Sequence, residues 1–155
     1  MGKKYKNNDP IEGIQTTIGE LVRSQVLLGV LNQSRMPAMV GMQVRRIFKA
    51  VQVEIEIYTE TRKALLERYG EKDENGELVI VDNEYQIKDR EKFDSEFEKM
   101  LQTAVTLNVR VLQITDLDEI EVPIPSPAGD PPAWKIWKPL PVELDVIAYL
   151  LESEE

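Results

Sequence analysis

The stretch VRRIFKAVQVEIEIYTETRKALLERY, residues 44–69, decides the fold. Within it Val44, Phe48, Val51, Ile55, Tyr58, Arg62, Leu65 and Tyr69 recur at alternating spacings of four and three. Those spacings place the eight side chains on one face of a helix, a heptad seam with Arg62 as its polar member. Pro37 suits the opening of that helix. Gly70 suits its close, in the left-handed conformation, and Arg68 sits favourably in the last turn. The pattern predicts a helix over 37–69, roughly 50 Å long at ~1.5 Å per residue.

Upstream, Asp9-Pro10-Ile11-Glu12 has the composition of a helix start. Ile14, Ile18, Leu21, Gln25 and Leu28 follow at similar spacings, so a first helix is expected over about 10–33. Gly13, Gly19 and Gly29 weaken its intrinsic propensity, and it needs tertiary packing. A five-residue connection, Asn32 to Met36, favours antiparallel neighbours. Met36, Met39 and Met42 beside it can form an adaptable contact surface.

Downstream, Asn75-Gly76 marks a tight turn, Leu78 to Val81 a strand, and Asp82-Asn83 a return into Glu84 to Ile87. A third helix is expected over about 89–103, with Phe93, Phe97, Met100 and Leu101 on one face. Val105, Leu107, Val109 and Val111 then alternate with polar residues, the period of a half-buried strand. Ile120 to Val122 is a further short strand, closed by Pro123 and Pro125. Residues 123–141 hold seven of the nine prolines, and no regular element is expected there. A last helix begins near Pro141 with Leu144, Ile147, Ala148 and Leu151 inward, and its acidic end should fray.

The expected architecture is α+β: a long antiparallel helical hairpin packed with a small, mostly antiparallel sheet and two shorter helices. The chain divides into a loose segment 1–9, a hairpin-plus-sheet body 10–122, a Pro/Trp-rich segment 123–141, and a terminal helix 141–155 belonging to the same body.

Composition removes several chemistries. The 155 residues include no cysteine and no histidine. Disulfides, thiolate or imidazole metal sites, and Ser-His-Asp or Cys-His catalysis within one chain are therefore excluded. The net charge of −9 opposes general binding to nucleic acid. No run is long and apolar enough for a membrane span. The basic start MGKKYKNNDP lacks the apolar stretch of a secretory signal, and Lys6 weakens a myristoylation motif.

With the elements placed, their order resembles a known family. VLNQSRMP (30–37) ends a first helix, and a long helix ends in LLERYGEKDENGE (65–77). After the small hairpin come KFDSEFEKMLQTAVTLNV (92–109), ITDLDEIEV (114–122) and a short final helix. This pattern is similar to that of small uncharacterised proteins encoded by tailed phages and prophages of Gram-positive bacteria. The resemblance spans about 25–122 and 141–152. It implies a viral setting, in the host cytoplasm or the virion, and supplies no catalytic motif. The Pro/Trp-rich insert 123–141 departs from it.

Each candidate site has two readings. The seam, with Tyr58, Leu65 and Tyr69 beyond the reach of the first helix, is an intrachain core or a subunit interface. Arg45, Arg46 and Lys49 are a solvated face or a phosphate contact. Asp116, Asp118, Glu119 and Glu121 are a surface loop or a hard-metal site. Asp73 to Glu84 fails as a calcium loop, because its sixth position is Leu78 rather than glycine. In PAGDPPAWKIWKP (127–139), Trp134, Ile136 and Trp137 either fold back on the sheet or form a docking arm.

The functional expectation is a non-enzymatic interaction protein without cofactor or metal. Its partner would be a protein or a second copy of itself, in virion assembly or as an accessory particle component. Such a role predicts an exposed apolar face bearing Met and Trp. The alternative is an inhibitor of a host defence protein, whose acidic surface mimics nucleic acid. A carboxylate enzyme with an oxygen-ligated metal would instead need several acids converging in a pocket.

Overall fold

The computed structural model describes residues 13–131 and 133–152. The Asp9-Pro10 helix start and the loose segment 1–9 lie outside them, as do the terminal residues Glu154 and Glu155. The class is α+β, with a long helix pair packed against strands.

The first element is not helical from its start. Ile14–Thr17 is a strand, β1, and helix α1 begins only at Ile18, running Ile18–Asn32. Ile14 and Ile18 are both buried, so their spacing of four was compatible with a helix. The intervening residues explain the strand. Ile14, Thr16 and Thr17 are β-branched, and Ile14 and Thr16 point inward while Gln15 points out. Thr17 is the N-cap, its hydroxyl accepting from the Glu20 N–H at 3.3 Å.

Helix α2 spans Ala38–Tyr69, within a residue of expectation. Its seam is buried through Val44, Val51 and Ile55 against α1, whose Leu21, Leu28 and Leu31 are fully enclosed. Past Ile55 the seam opens. Arg62 is exposed and Leu65 half-buried, while Leu66 is the buried residue of that turn. The far end of α2 is covered by α3 (Arg90–Leu101): Tyr69 meets Phe93 edge-on at 6.4 Å, and Phe93 stacks on Phe97.

Gly70 does not take the left-handed conformation. Its φ and ψ are −71° and 142°, an extended exit. Glycine is required by close approach instead: a Cβ there would stand 2.5 Å from Leu66 O and 2.5 Å from Leu78 Cδ2. The chain then turns at Gly76, φ +78°. Next comes a hairpin of β2 (Ile80–Val81) and β3 (Glu84–Tyr85). Asp82 and Asn83, both at positive φ, make its two-residue turn.

Among the described residues the strands form three separate two-stranded antiparallel ribbons rather than one sheet. β1 pairs with β4 (Ala104–Leu107), which is shorter than the alternation to Val111 suggested. The third ribbon corrects the expectation for the proline-rich segment. β5 (Glu121–Ile124) pairs with β6 (Ala133–Ile136), aligning Pro123 with Trp134. Pro123 is tolerated because of where its nitrogen points. The Glu121 N–H donates outward to Arg35 O at 2.8 Å, and two residues on the Pro123 nitrogen faces that same outer edge. The ladder therefore loses no bond.

Helix α4 is short, Pro141–Val146, and a 3₁₀ turn at Ala148–Leu150 follows it. Ile147 and Leu150 are fully buried, whereas Ala148 is exposed. Leu112 N–H donates to Leu150 O and Glu152 N–H to Leu112 O, which ties the C-terminal segment into the body. Leu112, Ile120, Ile147 and Leu150 complete the core under α1 and α2.

Candidate interaction surfaces

Helix α2 has two opposed faces. The seam points inward. Met39, Met42, Arg46, Lys49, Val53 and Ile57 follow one another at helical spacing on the other side. Together they make an outward stripe about 27 Å long at ~1.5 Å per residue. Met39, Met42, Val53 and Ile57 are 63%, 46%, 56% and 52% exposed. Arg45 flanks the stripe, and among the described residues Arg45, Arg46 and Lys49 have no ion-pair partner. The local charge is unusual for so acidic a chain. From Leu21 to Val53 there are five basic residues and no acidic one. On α1, Val26 is 80% exposed.

The outward stripe runs into a cleft of about 410 Å³ between α2, the end of α3 and β4. Ile57, Tyr58, Met100 and Val105 are its apolar walls, and Glu54 brings a single carboxylate to its lining. Acids do not converge there. Among the described residues no three acidic side chains are grouped as a metal site. Asp116 serves the local backbone. Its carboxylate accepts the Gln113 N–H at 3.0 Å and caps the 3₁₀ turn Ile114–Glu119.

At the opposite end of α2 the charge reverses. Residues 71–84 carry six acidic side chains and one lysine. The hairpin there exposes Ile80 and Val81 by 56% and 50%, and Tyr85 by 36%. Ile80 and Tyr85 are cross-strand partners on one face of the ribbon.

The tryptophan segment is folded back. Trp137 is 6% exposed, and its backbone N–H donates to Ile120 O at 2.8 Å. Trp134 is half-buried beneath the Arg35 guanidinium, 4.2 Å from its ring centre. Ile136 stays exposed. Met36 is half-buried against the core and Tyr58 half-buried at the cleft, whereas Met39 and Met42 stand free. Tyr69 donates its hydroxyl proton to Glu96 at 2.9 Å. That hydrogen bond, followed by burial, raises its pKa above the ordinary tyrosine value.

The structure thus gathers Met39 and Met42 with Arg46 and Lys49, and adds Val53 and Ile57, which sequence reasoning passed over. The signal was present in VQVEIEIY: a helix that buries Val51 and Ile55 must turn Val53 and Ile57 outward. Ile80, Val81 and Tyr85 were placed in the expected hairpin but not singled out as a surface, because a run of aliphatic residues has no alternation to mark its exposed members. Comparison with protein-family models, curated proteins and solved structures gave no match.

Proposed function

We propose that this chain is a non-enzymatic protein-interaction protein that self-associates. Its setting would be the phage one implied by the family resemblance, in virion assembly or as an accessory particle component. The observation that carries the proposal is the outward stripe of α2, where exposed Met42 on one side and Val53 and Ile57 on the other flank cations that form no ion pair among the described residues. Such a mixture of flexible apolar and cationic side chains suits a protein partner. The intact chain acts in the host cytoplasm or the particle. Among the described residues, no helix is long and apolar enough to cross a membrane.

Light scattering behind a sizing column tests it, on the intact chain and on Met42→Ser/Val53→Ser/Ile57→Ser. All three side chains are exposed, so the fold should persist, as circular dichroism would verify. An oligomeric intact chain and a monomeric variant are expected. A monomeric intact chain would overturn self-association and leave inhibition of a host defence protein as the competing function.

A further inference from the structure

Two exposed surfaces are complementary to one another, one on the outer face of α2 and the other on the hairpin beyond its C-terminal end; from Lys49 to Tyr69 the helix runs about 30 Å at ~1.5 Å per residue. One is cationic: Arg45, Arg46 and Lys49 among Met39, Met42 and Val53, in a stretch with no acid from Leu21 to Val53. The other is anionic: Glu71, Asp73, Glu74, Glu77, Asp82 and Glu84 around Ile80, Val81 and Tyr85. Each couples charge to exposed apolar surface. Among the described residues neither neutralises its charge locally, and Lys72 beside the acidic group pairs with Glu67 at 3.0 Å. A helix that keeps the two surfaces apart cannot bring them together within one molecule.

We infer that the acidic β2–β3 hairpin of one copy docks on the basic outer face of α2 of a second copy. The inference rests on the self-association proposed above and gives it a contact. In that contact Ile80 and Tyr85 cover Met42 and Val53, and the flanking carboxylates meet Arg45, Arg46 and Lys49. The contact joins two different surfaces. Copies therefore associate either reciprocally, as an antiparallel pair, or head to tail in a ring or filament. Its charge pairs set register and partner choice and make association sensitive to salt.

Charge exchange tests the contact. One variant is Arg45→Glu/Arg46→Glu/Lys49→Glu and the other Glu74→Lys/Glu77→Lys/Glu84→Lys, all at exposed positions. Sedimentation would be followed for each alone, for their equimolar mixture, and for the chain carrying all six changes. Each variant alone should associate at least ~100-fold more weakly than the intact chain. The mixture and the six-fold variant should recover association, which misfolding could not produce. The intact chain should also weaken between ~0.1 and ~1 M salt, where the screening length falls from about 10 to about 3 Å. If the hairpin variant associates as the intact chain does, or the six-fold variant stays monomeric, the docking contact is wrong while self-association stands. If the intact chain is itself a monomer, both fail.

Discussion

At the scale of single residues, small groups in tight places carry consequences that hydropathy does not announce. Ser24 is fully buried in α1; its hydroxyl lies 3.0 Å from Leu21 O, to which it can donate, and 2.6 Å from the Tyr149 hydroxyl, with which it shares a hydrogen bond. Burial, with Glu20 nearby, pushes the Tyr149 pKa up to about 12 despite the opposing Ser24 hydrogen bond. Unfolded Tyr149 ionises near pH 10, whereas the folded protein keeps the proton until about pH 12. Its contribution to stability is therefore complete below pH 10 and lost as pH rises through 12. Tyr149→Phe should be less stable by about 1 kcal/mol at neutral pH, for the lost hydrogen bond. Across the alkaline window the parent should lose this advantage and become the less stable of the two, as read by urea titration at each pH.

Two glycines make a contrasting pair. Gly70→Ala puts a methyl against Leu66 O and Leu78 Cδ2 and should cost about 1–3 kcal/mol through overpacking, although its φ suits alanine. Gly29 lies within α1 with nothing near its would-be Cβ, and Gly29→Ala should add about 0.5–1 kcal/mol. Thermal melts of the two variants check the opposite signs.

At the scale of elements, legibility followed periodicity. Helix α2 was readable because its seam repeats many times and Pro37 precedes it. β1 was not, since Ile14 and Ile18 satisfy a helical spacing while Thr16 and Thr17 satisfy a strand. The β5–β6 ribbon was hidden by its prolines. Whether Pro123 breaks a strand depends on which edge its nitrogen faces, and that is settled by pairing partners far away in sequence. The candidate surfaces were legible in part: Met39, Met42, Arg45, Arg46 and Lys49 stand out locally. Val53 and Ile57 do not stand out by residue type, and their exposure follows only once Val51 and Ile55 are placed on the buried face. For the ribbon, Trp137→Ala should cost about 3–5 kcal/mol. Ile136→Ala, one residue away but half exposed, should stay within ~0.5 kcal/mol of the parent in the same urea titration.

At the scale of the whole molecule, the arrangement is a buried centre with polarised ends. α1, the first half of α2 and the C-terminal segment share the apolar core. Beyond Ile55, the rest of α2, α3 and the hairpin add little buried apolar surface, and Leu66 is the buried hydrophobic residue among them. Surface ties such as Arg23–Asp145 at 2.9 Å are largely exposed and add little. The change of charge from the outer face of α2 to the hairpin beyond its end gives the molecule a direction, and the proposed docking contact uses that direction.

The junction between Arg35 and Glu121, two backbone hydrogen bonds of 2.9 and 2.8 Å, has one more implication. The turn that joins the two long helices is stitched to a segment synthesised much later, and β1 awaits β4 in the same manner. A nascent chain that has displayed only its helices holds an apolar face with nothing to close it. Loop closure over such separations is slow compared with helix formation. The face shared by the two helices is therefore closed only when residues from β4 onward are in place.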